Sequence, residues 1–133
     1  MIHAGGFMTM SKSFVRPSQT KLLLDHGILP VSIDYRLVPE INILDGAMSD
    51  VHDGLLWVQN TLPSIAGLAS VKVDTKNVVV VGWSAGGHLG MSLAWTCKEP
   101  PKAILSLYAP SDFESPGQYH WLLLARNVAN NHS

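Results

Sequence analysis

Apolar residues along the chain gather in short runs bounded by breakers. Ile28 to Tyr35 (ILPVSIDY), Asn77 to Gly82 (NVVVVG) and Ala103 to Tyr108 (AILSLY) are β-branched or apolar runs, the pattern of strands buried on both faces of a parallel sheet. Helical patterns lie between them. Pro17 suits a first helical turn that Gly27 would end, with Leu22 to Leu24 supplying apolar surface. Met48, Val51, Leu55, Val58 and Leu62 recur at spacings of three and four, with Asp45 as the expected cap and Pro63 as the stop. A third helix is expected after Ser84, where Gly86, Gly90 and Ala94 form a small-residue stripe beside Leu89 and Leu93. Alternating strands and helices predict an α/β domain over a parallel sheet. No internal repeat or low-complexity linker interrupts it.

Composition narrows the class. At 133 residues the chain fits one domain, and 47% hydrophobic against 14% charged residues predicts extensive burial. Nine basic and ten acidic residues, without a basic run, argue against nucleic acid as a partner. The single cysteine, Cys97, cannot close an internal disulfide or complete a metal cluster, and reads as a buried structural thiol. No apolar run reaches the length of a spanning helix and no leader is recognisable at Met1 to Met10. The expectation is a cytoplasmic protein with no membrane span, needing neither cofactor nor metal.

The most specific chemical signal is Gly82-Trp83-Ser84-Ala85-Gly86-Gly87, between a strand pattern and a helical one. G-x-S-x-G in that context is the pattern of a nucleophile elbow, in which a sharp turn lifts the serine hydroxyl above the sheet edge. The competing phosphate-binding readings fail, because Ser84 stands where a Rossmann loop needs its second glycine and no G-K-[ST] follows. Upstream, His3-Ala4-Gly5-Gly6-Phe7 is similar to the HGGG loop whose amides face a developing oxyanion.

These two motifs, with Asp34-Tyr35-Arg36-Leu37-Val38-Pro39-Glu40, resemble hormone-sensitive-lipase-like α/β hydrolases of the fold-3 type. The wording PVSIDYRLVPE, VVVVGWSAGGHL and PPKAIL looks most like the terminal thioesterase-type domains of fungal non-reducing polyketide synthases. The resemblance implies a three-layer α/β-hydrolase fold with a mostly parallel sheet, here partial, with residues 1–117 as core and 118–133 as a tail that begins helical and then frays. It implies Ser84 as nucleophile and the amides of Gly5, Gly6 and Ala85 as oxyanion hole. The substrate would be a carboxylic ester or an acyl thioester, the latter on a carrier protein. Ala4 departs from the first glycine of the loop. Asp34, Arg36 and Glu40 read as loop-holding residues, since charges beside a buried strand must be paired.

A serine needs a base, and this fold orders its triad as serine, acid, histidine. Asp112, after the third apolar run, is the candidate acid; His120 and His132 are the only histidines downstream of it. His88 reads as a surface or supporting residue, His26 and His52 as helix-surface residues, and His3 as a loop-shaping one. The triad acid and histidine of the family thus have no clear counterpart, and the chain is expected to be truncated at both ends and weakly active or inactive alone. Only Met1 and Ile2 represent the strand that leads into the HGGG loop, so the sheet is expected to be open at its centre, with self-association through its edges. The alternative function is a non-catalytic protein of this fold that binds a small apolar ligand or a protein partner.

Overall fold

The computed structural model describes residues 1–65 and 70–112. Two of the expected strands form: β1 (Val79–Trp83) and β2 (Ala103–Leu107) pair in parallel, with Val79 opposite Ala103 and Trp83 opposite Leu107. The helix α3 (Ala85–Thr96) connects them and packs against both. A parallel pair needs such a crossover, which the elbow starts without a spacer. Leu89 and Leu93 on α3 are almost wholly buried, each worth about 1.5–3 kcal/mol of apolar transfer. The expected small-residue stripe is real at Gly86 and Gly90, where a Cβ on Gly90 would lie 3.1 Å from Val80. Ala94, the third member, is exposed and takes no part, because the helix has turned that position away from the strands.

The helix α1 spans Pro17–Asp25, and Gly27 follows with φ +70°, an angle that favours glycine. Its apolar residues do not enter the core: α1 buries none of its side chains, and Leu22 and Leu24 lie more than half exposed. The helix α2 (Ser49–Asn60) is entered through a π-helical turn, Leu44–Met48. Asp45 therefore lies inside that turn and is not the cap of α2. Its carboxylate accepts from the Asn42 amide at 2.6 Å, while its own N–H donates to the Asn42 side chain at 2.9 Å. Val51 and Leu55 on α2, and Leu62 just beyond it, are buried as their spacing predicts.

The third expected strand, Ile28 to Tyr35, does not form. Within it only Ile33 makes a ladder contact, an isolated parallel bridge to Ile2. The physical reason is local: Pro30 has no N–H to donate, and extended backbone becomes a strand only where a neighbour runs alongside. Ile2 bridges Gly82 as well, so the first residues lie between Ile33 and β1 as expected, and they pair there at a single position. The tail from Gln118 lies outside the described residues. Among the described residues no helix is long and apolar enough to cross a membrane, and no group of His, Cys, Asp and Glu could hold a metal ion.

Candidate active site

At the carboxyl end of β1 the chain turns sharply through Ser84, whose φ is +52° and ψ −120°. A non-glycine residue there is strained, at a cost of order 1–3 kcal/mol that its surroundings must offset. They do so with backbone bonds on both sides. The Ser84 N–H donates to the Leu107 carbonyl at 2.9 Å, and the Ser84 carbonyl accepts from the Gly87 and His88 amides at 2.9 and 3.1 Å. The flanking glycines explain how the turn fits. A Cβ on Gly82 would lie 2.2 Å from the Gly86 carbonyl oxygen, and one on Gly86 would lie 2.3 Å from the carbonyl oxygens of both Ile2 and His3. Side chains are thus excluded at both positions by main chain, which cannot yield.

Ser84 is half-buried, and its side chain makes no capping bond to α3. Among the described residues the amides of Gly5, Gly6 and Ala85 donate to no backbone carbonyl. The Ala85 amide is one of the orphan donors every helix start carries, at the positive end of the α3 dipole.

The loop His3 to Phe7 packs directly on this turn, since the Ile2 and His3 carbonyls are the atoms nearest to Gly86. Gly5 and Gly6 adopt φ +116° and +59°, and Phe7 follows at +65°. The Gly5 carbonyl accepts from the Met8 and Thr9 amides, both at 3.0 Å, closing a tight turn. Ala4 is not among the residues with positive φ, so alanine fits where the family pattern has glycine.

His3 shapes the loop as expected. Its ring is fully buried and stacks on Tyr35 with centroids 4.1 Å apart and an 8° tilt. Its Nδ1 lies 2.7 Å from the Ala4 carbonyl, which can only accept, so Nδ1 carries a proton, and the buried Nε2 has no hydrogen-bond partner among the described residues. Tyr35 shares its O–H between the His3 and Ala4 carbonyls, each at 3.2 Å. Burial pushes its phenol up to about 12, so this donor persists at all ordinary pH values. Sequence reasoning missed this role of Tyr35; an aromatic residue between the charges of DYRLVPE was the available signal.

The charged residues of that segment are paired, with one exception. Asp34 accepts from the Lys12 N–H at 2.6 Å and lies 3.2 Å from the Lys12 ammonium. These bonds hold its carboxyl below the usual range. Arg36 forks onto Asp50 through Nε and Nη2 and also donates to the Asp45 carbonyl at 2.8 Å. Hydrogen bonding from Arg36 likewise lowers the Asp50 carboxyl. Glu40 is exposed and holds nothing in the described hydrogen bonds, because the loop carries it outward. The Val38 amide donates to the Phe7 carbonyl at 2.9 Å, so this segment clasps the glycine loop.

His88 is half-buried, in keeping with a supporting residue. Its Nδ1 lies 3.2 Å from the Pro110 carbonyl, and its ring meets Phe7 edge-on at 6.1 Å. Desolvation lowers its pKa. It thereby ties the glycine loop to the segment after β2. His26 is exposed at the end of α1, with Nδ1 2.9 Å from the Leu22 carbonyl, and His52 is half-buried on α2. Asp112 is exposed just beyond Pro110; His120 and His132 lie outside the described residues. Cys97, half-buried at the end of α3, has its thiol pKa raised by burial. Phe14 packs edge-on against Trp83 with centroids 6.0 Å apart, a wall of the elbow that no sequence pattern announced.

A strained serine turn between a parallel strand and a helix, with a glycine loop against it, defines an α/β hydrolase scaffold. The family described as alpha/beta hydrolase fold matches residues 1–129, and the chain belongs to it. Among curated proteins it is similar to non-reducing polyketide synthases of Stereocaulon alpinum and Preussia isomera, each 56% identical over 119 residues. A non-reducing polyketide synthase of Acremonium egyptiacum is 49% identical over 118 residues. Each match covers 86% of this chain but only 5 to 6% of the relative.

Proposed function

We propose that Ser84 is the nucleophile of a hydrolase acting on carboxylic esters or thioesters through an acyl-enzyme. The observation that carries this reading is the positive φ of Ser84, kept by glycines whose replacement would strike main chain. Backbone strain of this kind persists where the surrounding structure over-determines it, and it clusters at active sites. In the proposed reaction the Ser84 hydroxyl loses its proton to a base as Oγ adds to the acyl carbonyl. The thiol or alcohol then leaves with a proton, and water releases the acid. The unpaired amides of Gly5, Gly6 and Ala85 would hold the oxyanion, a role worth about 3–4 kcal/mol per donor. Asp112 is the candidate acid, by its position after β2.

Similarity to non-reducing polyketide synthases supports a polyketide acyl thioester, presented on a carrier protein, as the substrate class. The test is labelling of the full chain with a fluorophosphonate probe. Expected is one adduct, mapped to Ser84 and absent from Ser84→Ala. An adduct elsewhere, or none on folded protein, overturns the nucleophile assignment and leaves the non-catalytic binding protein as the better reading.

A further inference from the structure

The two glycines of the loop run into a residue that cannot share their freedom. Gly5, Gly6 and Phe7 follow one another at φ +116°, +59° and +65°, and left-handed backbone at a bulky side chain is strained. Phe7 is the first residue after the glycines with a side chain to grip, so whatever holds it fixes the stretch of backbone that carries the Gly5 and Gly6 amides. Its carbonyl accepts from the Val38 amide at 2.9 Å. Its ring is almost wholly buried and meets the His88 ring edge-on, with centroids 6.1 Å apart and planes at 89°, a geometry that ring quadrupoles favour.

His88 offers that ring a fixed face. It stands on α3 three residues after Ala85, and Leu89 and Leu93 bury the helix. The imidazole is held in turn, because Nδ1 lies 3.2 Å from the Pro110 carbonyl. The segment leading to that carbonyl is pressed on the start of α3: a Cβ on Gly87 would lie 2.7 Å from Ser106 Oγ and 2.9 Å from the Ala109 Cβ. Ala85 through α3, and Gly5 and Gly6 through Phe7, are therefore joined at one imidazole. Donors to an oxyanion act only when their spacing is preorganised, to within a few tenths of an ångström of hydrogen-bond length.

We propose that His88 is a positioning residue of the oxyanion hole: its ring sets Phe7, and through it the Gly5 and Gly6 amides, relative to Ala85. The inference rests on the reading of those amides and Ser84 given above. The role needs a ring and not a base, so phenylalanine should replace the histidine and asparagine, which keeps only an N–H donor for Pro110, should not.

The test is saturable labelling of the full chain by a fluorophosphonate, resolved into maximal rate and half-saturating concentration, with amide hydrogen exchange on the same proteins. In His88→Ala and His88→Asn the maximal rate should fall about tenfold or more, with the half-saturating concentration within about twofold. Exchange should quicken about fivefold at Met8 and Thr9, whose amides close the turn on the Gly5 carbonyl, and stay unchanged at Leu89 and Leu93. His88→Phe should restore rate and protection to within about threefold. His88→Asn labelling as fast as the parent, or His88→Phe labelling no faster than His88→Ala, overturns the proposal. So does protection lost throughout the chain, which would make His88 a packing residue only. A parent chain that takes no probe sinks the nucleophile reading by itself. Exchange at Met8 and Thr9 then decides this one: selective quickening in His88→Asn that His88→Phe reverses sustains it, and no change overturns it.

Discussion

The two ends of β1 are filled by opposite means. At the carboxyl end the elbow is closed by main chain: Gly82 and Gly86 each sit within about 2.3 Å of carbonyl oxygens at the point where a side chain would start. At the amino end the same strand borders a cavity of about 450 Å³ whose walls include Leu55, Val58, Leu62 and Val79. One end holds a single residue in a costly conformation; the other borders apolar side chains. The contrast teaches that precision at Ser84 comes from main-chain contacts that cannot relax, while apolar side chains at the other end leave room for adjustment.

The sharpest way to break this comparison is to add one methyl group at each end. Gly86→Ala places Cβ 2.3 Å from two main-chain oxygens, and overpacking of that kind should cost about 3 kcal/mol. Gly27→Ala, beside that cavity, meets nothing within 4 Å and carries only the penalty of φ +70°, about 1 kcal/mol. Urea midpoints of the two variants would measure the difference. Equal losses would show that the elbow is not more tightly determined than the other end.

The next effect concerns the Met1 amine, which lines that cavity. Burial lowers the Met1 amine from 8.0 to about 6. Between those values the unfolded chain holds more protons than the folded one, so stability rises with pH. The gain should be complete above pH 8 and lost below about 6, and amounts to about 3 kcal/mol at about 1.36 kcal/mol per unit. His88, also lowered by burial, contributes a slope of the same sign below its ordinary pKa. Nα-acetylation separates the two: the acetylated chain should keep only the His88 share in urea titrations at pH 5.5 and 8.5. An unchanged slope would mean that the amine is solvated in the folded chain.

What could be read from sequence follows the same division. The elbow was legible because its constraints are local: glycines two residues either side of a serine, a strand pattern before and a helix after. The buried faces of α2 and α3 were legible from residues three and four apart. Ile28 to Tyr35 had the composition of a strand but lacks the neighbour that would make it one, and composition does not report neighbours. Leu22 to Leu24 read as apolar surface, and Leu22 and Leu24 lie more than half exposed on α1, because composition does not tell which apolar residues find a partner. Asp45 had the chemistry of a cap, yet Asn42 claimed it within a turn of another period. Tyr35 went unread because its value lies in two carbonyls more than thirty residues away.

The smallest effect should come from that tyrosine. Tyr35→Phe keeps the stack on His3 and removes only the O–H shared by the His3 and Ala4 carbonyls. Losing one buried donor should cost about 1 kcal/mol. Those two carbonyls lie in the glycine loop, and the His3 oxygen also borders Gly86, so the change should loosen the loop more than the core. The expected signature is a small shift in urea midpoint together with slower fluorophosphonate labelling of Ser84. A stability loss with unchanged labelling would confine Tyr35 to the core, and would show that the serine turn keeps its geometry without help from the loop above it.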